Sequence, residues 1–163
     1  MYNFFTIFGF FFICICSIIM NYIYDLFPIN RLTMLLKPTF QSTWAEISAT
    51  TLPIILWSFI ELPVFGSNSN FLLAVVCNLF VSWSVLYVIR YGAKLFKKEN
   101  NIIRISSIII ATCFGQLASY LILVSGEFAK TNILVSLIGL LFIFLLYLII
   151  GLFPPKTMFF QGK

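Results

Sequence analysis

Five long apolar stretches restrict what this chain can fold into more than any other feature. A helix needs about 20 mostly apolar residues to cross the hydrocarbon core of a bilayer. The strands of a membrane β-barrel would instead alternate polar and apolar residues, and these continuous runs do not alternate. The sequence therefore predicts an all-α bundle of five transmembrane helices. The predicted spans are residues 4–24, 47–65, 71–91, 105–125 and 132–151.

The composition agrees with a membrane bundle and excludes other classes. Of the 163 residues, 61% are hydrophobic and 9% are charged, against about 45–50% and about 25% in an average soluble domain. Soluble folds of this size cannot bury so much apolar surface, and disordered or nucleic-acid-binding chains are far more polar. We expect a single integral membrane domain over residues 1–163, with the lipid bilayer as its partner and no nucleic acid.

Basic residues predict how the spans are oriented. With five spans, nine of the ten Lys and Arg residues fall on one side, and basic residues in short loops mark the cytoplasmic face. The sequence thus predicts an outside N-terminus and a cytoplasmic C-terminus. The first stretch lacks the basic start and the cleavage site of a signal peptide, so we expect it to remain as a helix. The nine residues are Arg31, Lys37, Arg90, Lys94, Lys97, Lys98, Arg104, Lys156 and Lys163.

Two predicted connections carry more than a turn. Between Pro28 and Pro38, the leucines of NRLTMLLK could form the apolar face of a short helix at the cytoplasmic interface. The basic loop with Lys94, Lys97 and Lys98 would favour anionic lipid headgroups by about 1 kcal/mol per residue. The simpler interpretation of both segments is that they only set the orientation.

The residues of common catalytic and metal sites are missing. The chain has no histidine, which removes the commonest general acid–base group and metal ligand. The C-x-C pair Cys14 and Cys16 lies on different sides of a helix, and no phosphate-binding or nucleotide-binding motif occurs. We therefore expect no catalytic residue, no metal and no cofactor, although the question of an enzyme stays open.

Polar residues inside or beside the spans give two candidate sites. The first would lie where the first two spans reach the cytoplasm, and the second would draw on three different spans. A packing role is the alternative for the amides, and an interface-anchored carboxylate is the alternative for Glu61. By default we expect Trp44, Trp57 and Trp83 to face lipid or the interface. The first site comprises Asn21, Tyr24, Asp25, Ser42, Trp44 and Glu46, and the second comprises Glu61, Asn78 and Gln116.

Several short segments resemble a family of small polytopic bacterial membrane proteins known only as a domain of unknown function. The segments are NYIYDLF, FQSTWAEIS, a Pro-containing span that ends in Glu, and LFPPKTMFF. The family hallmark reads roughly Asn-Glu-Ser-x-Trp-Glu-His-x-Lys, and this family also has His-Phe-x-Tyr-Asp at the end of the first span. The matching residues are Tyr24, Asp25, Ser42, Trp44, Pro53, Glu61, Pro154, Pro155 and Phe160.

The departures from that family concern its titratable residues. Phe40 and Gln41 replace the hallmark Asn-Glu, Ala45 and Glu46 replace its Glu-His, and Ser48 replaces its Lys. The resemblance implies a bacterial cytoplasmic membrane and a divergent or inactive version of whatever chemistry the hallmark performs. The sequence favours a non-enzymatic protein that binds a small molecule or a lipid, such as a transporter component. A partner-binding subunit of a membrane complex is the alternative, and a lipid-modifying enzyme is the weakest one.

Overall fold

The computed structural model describes residues 1–26, 43–96, 100–125 and 131–152. This part of the chain is all-α and contains five helices, each long and apolar enough to cross a membrane. The predicted all-α class and the five helices that could serve as spans are therefore confirmed for the described residues. The helices are α1 (Tyr2–Leu26), α2 (Thr43–Phe65), α3 (Phe71–Leu95), α4 (Asn101–Val124) and α5 (Thr131–Leu152).

The helices extend beyond the predicted spans where polar residues continue the helical turn. The second span was predicted to begin at residue 47, but α2 begins at Thr43, so Glu46 lies in its first turn. The fourth helix begins at Asn101 because the side chain of Asn100 accepts a hydrogen bond from the backbone N–H of Ile103 at 2.8 Å, as N-cap residues do. The short helix predicted between Pro28 and Pro38 lies outside the described residues.

The first four helices form the core of the bundle, and α5 lies at its side. α3 and α4 share the most extensive contact, α1 packs on α2 and α4, and α2 also packs on α3. Gly115 of α4 permits the closest approach, since a Cβ atom there would meet the side chains of Asn78 and Ser82 on α3. Among the described helices, α5 lies closest to α3, and its Tyr147 side chain also packs on Trp44 of α2.

Two of the three tryptophans are buried in this core, which corrects the expectation that Trp44 and Trp57 face lipid or the interface. The side chain of Trp57 is 5% exposed and that of Trp44 is 3% exposed. Gly9 on α1 makes room for the Trp57 indole, because a Cβ atom would lie 2.7 Å from its Cε2. Trp83 is half-buried and its indole N–H donates to the Thr51 hydroxyl at 2.9 Å. Interhelical packing therefore outweighs the interfacial preference of these aromatic residues.

Asparagines in the short α2–α3 connection fasten one end of the bundle. The Asn70 amide donates to the carbonyl of Ile122 at 3.1 Å, and the Asn68 amide donates to the carbonyl of Leu123 at 3.3 Å. The Asn68 amide also lies 3.3 Å from the Tyr2 hydroxyl on α1. The last carbonyls of a helix have no partner within that helix. The connection between α2 and α3 thus closes the end of α4.

Candidate functional site

The centre of the candidate site is Glu46, whose carboxylate lies between two arginines. Its Oε2 is 2.8 Å from Nε of Arg90 on α3, and its Oε1 is 3.0 Å from Nε of Arg104 on α4. The side chains of Glu46 and Arg90 are 0% and 2% exposed, and that of Arg104 is 15% exposed. A carboxylate in the first turn of α2 also lies at the positive end of the helix dipole. Both arginines and the helix dipole therefore stabilise a negative charge on Glu46.

Arg104 extends the ionic contact to the first helix. Its Nη2 donates to Oδ1 of Asn21 at 3.2 Å. α1, α2, α3 and α4 therefore each contribute one side chain at the same end of the bundle. We call Asn21, Glu46, Arg90 and Arg104 the arginine cluster.

Burial decides what the arginine cluster contributes to stability. Removing two charges from water costs several kcal/mol per ion, and their attraction roughly offsets that cost. Removal of one partner from such a pair typically costs about 3–5 kcal/mol, because the other charge stays buried. The cluster thus fixes how four helix ends meet, and it constrains the fold more than it adds net stability.

A small pocket lies beside the exposed edge of Arg104. Its volume is about 140 Å³, and it lies at the first turn of α4, where the helix dipole is positive. Guanidinium, amide and phenol groups around it can all donate hydrogen bonds. These properties suit an anionic group. The lining residues are Ile18, Asn21, Tyr22, Asn101, Arg104, Ile105 and Ile108.

The structure brings together part of the first predicted site. Asn21 and Glu46 are joined through Arg104. Trp44 instead packs in an aromatic group with Trp83 and Tyr147, with both ring centroids 5.6 Å from its own. The other three predicted members are not placed: Tyr24 and Asp25 belong to the last turn of α1, but their side chains lie outside the description, as does Ser42.

Sequence reasoning missed Arg90 and Arg104 as site residues, because both were counted as orientation signals. A usable signal existed for Arg90. It lies inside the predicted third span, near the end that the predicted orientation places beside Glu46. A charge inside a membrane needs a partner, and the two residues were the nearest opposite charges at that depth. Arg104 gave no such signal, since it precedes its predicted span by one residue.

The second predicted site is only partly assembled. Asn78 and Gln116 are 4% and 3% exposed, and Asn78 lies against Gly115, the neighbour of Gln116 in α4. The Asn78 side chain also accepts a hydrogen bond from Ser82 at 3.3 Å. No hydrogen bond joins Glu61 to either amide within the described residues. The two amides therefore belong to the α3–α4 contact, and Glu61 stands apart from them.

A larger apolar groove lies between α2, α3 and α5. Its volume is about 420 Å³, within the range of ligand pockets. Ile55 and Phe59 of α2, Val75 of α3 and Phe144 of α5 form its walls, with the hydroxyl groups of Thr51 and Tyr147 near one end. The groove therefore suits an apolar occupant.

Neither a group of metal-binding side chains nor similarity to a known protein indicates a particular activity. Within the described residues, no group of three or more His, Cys, Asp or Glu side chains could hold a metal ion. Comparison of the chain with models of protein families, with curated proteins and with solved structures gave no match.

Proposed function

We propose that this chain is a non-enzymatic, multi-pass membrane protein that binds an anionic, amphipathic small molecule or lipid. The single observation that carries the proposal is the position of Arg104, which is held by Glu46 and Asn21 and also lines the small polar pocket. The anionic group of the ligand would bind Arg104 at the first turn of α4.

The free donors of Arg104 favour an anion at this site. Arg104 uses Nε and Nη2 for Glu46 and Asn21, and its Nη1 has no further partner among the described residues. A guanidinium group offers five donors in a fixed plane and binds carboxylate or phosphate well. A phosphate or carboxylate group is therefore the chemistry that fits.

The surroundings of the pocket favour an amphipathic molecule over a free anion. Ile18 of α1 and Ile105 of α4 line the pocket beside its polar groups. Ile15 and Ile19, which flank Ile18 on α1, are exposed on the surface of the bundle. In a membrane that surface meets lipid chains, so an anionic headgroup could reach Arg104 while its chains stay in the bilayer.

A binding experiment with matched lipids tests the proposal. The purified protein is mixed with anionic phosphatidylglycerol, zwitterionic phosphatidylcholine or inorganic phosphate, and its melting temperature and retained mass are measured. The anionic lipid should be retained and should raise the melting temperature, since a ligand at 100 times its Kd adds about 2.7 kcal/mol. Competition by phosphate alone would identify a soluble anion as the ligand instead.

Variants separate the pocket from general charge attraction. Arg104→Gln should lose the preference for the anionic lipid, and Arg104→Lys should keep part of it, because a charge remains without the planar fork. Lys94→Gln is the matched control, since Lys94 is another basic residue in the last turn of α3 and lies outside the lining of the pocket. Equal lipid retention by Arg104→Gln and the unchanged protein would refute the proposal.

The predicted orientation is part of this proposal. The excess of basic residues supports placing the arginine cluster at the cytoplasmic face, in a bacterial cytoplasmic membrane if the family resemblance holds. Lys94, Lys97 and Lys98 would then lie near anionic headgroups of the same leaflet. Reporter fusions at the two termini test this, with an outside N-terminus and a cytoplasmic C-terminus as the expected result.

A partner-binding subunit is the second candidate, favoured by the placement of α5. Among the described helices this helix packs mainly on α3, and exposed residues such as Leu134, Ile138 and Phe142 cover much of its surface. Purification in mild detergent tests this alternative. A stable second protein that is lost when Ile138 and Phe142 are changed to Ala would support it, and a single species would argue against it.

A further inference from the structure

We propose that Glu61 is a membrane-embedded proton-binding site, which carries its proton at neutral pH and is therefore a neutral carboxylic acid. Glu61 lies in α2, about one helical turn before the helix ends at Phe65. It belongs to neither the arginine cluster nor the pocket beside Arg104. The inference is thus independent of the anion-binding proposal.

Glu61 is surrounded by apolar side chains and has little access to solvent. The residue is 6% exposed. Residues four positions apart share a helix face, and Trp57 and Phe65 flank Glu61 in this way; both belong to the apolar core cluster at this end of the bundle. An interface-anchored carboxylate would instead reach water, so the burial favours an embedded group.

Glu61 differs from Glu46 in its ionic contacts. Within the described residues it makes no ion pair, whereas Glu46 on the same helix makes two. The described basic side chains of Arg90, Lys94 and Arg104 lie towards the opposite end of the bundle. Glu46 and Glu61 are separated by about 22 Å along α2 at about 1.5 Å per residue.

The titratable groups on the neighbouring helices do not supply an ionic partner either. At this end of the bundle α1 contributes Tyr2, and the N-terminal amino group belongs to Met1, which is 83% exposed. α3 contributes Cys77 and α4 contributes Tyr120, and neither a thiol nor a phenol carries a positive charge. An isolated carboxylate in an apolar environment costs so much that the group is neutralised instead. Since no described cation pairs with Glu61, the neutralising ion is a proton.

The protonated state of Glu61 predicts a specific reaction with a carbodiimide. The protonated acid adds its O–H across one C=N bond of a carbodiimide: the carboxyl oxygen bonds to the central carbon, and the proton moves to a nitrogen. The O-acylisourea then rearranges to a stable N-acylurea without loss of atoms, so no oxidant or further reactant is needed. A carbodiimide with apolar substituents partitions into the membrane, and it should reach Glu61 there.

The test is labelling of the protein in bilayer nanodiscs with dicyclohexylcarbodiimide at about pH 7, followed by peptide mass spectrometry. An exposed glutamate with its usual pKa of about 4.3 is ionised at this pH. We expect an adduct on Glu61 and none above background on Glu46, which serves as the internal control because its carboxylate is paired with two arginines. Glu61→Gln should lose the adduct from this peptide.

Each other result would overturn the proposal. Absence of an adduct on Glu61 in the unchanged protein, or equal labelling of Glu46 and Glu61, would mean that Glu61 is not a distinctive protonated acid. Labelling that sodium or potassium chloride suppresses at constant pH would identify a metal cation as the ligand. Peptide mass spectrometry locates the adducts on the unchanged protein itself. The outcome therefore does not depend on whether the Glu61→Gln variant folds.

Discussion

Helix α2 carries two buried glutamates that are neutralised in different ways. Glu46 lies in the first turn, is 0% exposed and contacts two arginines. Glu61 lies in the last part of the same helix, is 6% exposed and has no ionic partner within the described residues. Burial is nearly equal, so the difference lies in what the neighbouring helices present to each carboxyl group.

This difference shows that depth alone does not decide the role of a charge in a membrane bundle. At Glu46 the neighbouring helices bring two guanidinium groups, and the carboxylate then positions that of Arg104 beside a pocket. At Glu61 the flanking side chains belong to the apolar core and no described cation pairs with the carboxyl group, so that a proton removes the charge. The same residue type therefore serves as an organising anion at one end and as a neutral acid at the other.

The largest expected effect is the loss of stability in Glu46→Gln. This change leaves two guanidinium groups without their carboxylate, and breaking a buried pair typically costs about 3–5 kcal/mol. Glu61→Gln is the matched control on the same helix, and it should cost less than about 1.5 kcal/mol because glutamine resembles a neutral acid in size. Unfolding in detergent measures both changes. Equal losses would show that the two carboxyl groups are in the same state.

A smaller effect distinguishes the two arginines. Arg90→Gln should destabilise the protein by more than Arg104→Gln, since the Arg90 side chain is 2% exposed and that of Arg104 is 15% exposed. Partial solvent access screens the charge of Arg104 and weakens its contribution. Thermal unfolding compares the variants. A larger loss in Arg104→Gln would indicate that Arg104 is the principal partner of Glu46.

The end that contains Glu61 is fastened by neutral hydrogen bonds, which predicts a moderate effect for Asn70→Ala. The Asn70 side chain is buried and donates to the carbonyl of Ile122. The loss of a typical intramolecular hydrogen bond costs about 0.5–1.5 kcal/mol. Ser125→Ala is a suitable control, because its exposed hydroxyl bonds the same carbonyl at 2.8 Å. If Asn70→Ala and Ser125→Ala lower the free energy of unfolding equally, the Asn70 side chain does not specifically stabilise the end of α4.

The two ends of the bundle also show how much of the structure could be predicted from the sequence. The five spans were predictable because a run of about 20 apolar residues is long enough to cross a bilayer, whichever helices pack beside it. The partners of each charge were not predictable in the same way, since Arg90 and Arg104 reach Glu46 only through the packing of three helices. Gly115 and Gly9 allow close helix contacts that hydropathy does not reveal.

The smallest expected effect is the coupling between the two glutamates. Their separation of about 22 Å along α2 exceeds the distance of about 7–10 Å beyond which substitutions usually add. The free energies lost in Glu46→Gln and Glu61→Gln should therefore sum to that of the double variant within about 0.5 kcal/mol. The same detergent unfolding measurement gives all three values. A larger interaction energy would mean that α2 transmits the state of one carboxyl group to the other, and the two ends would then act as one site.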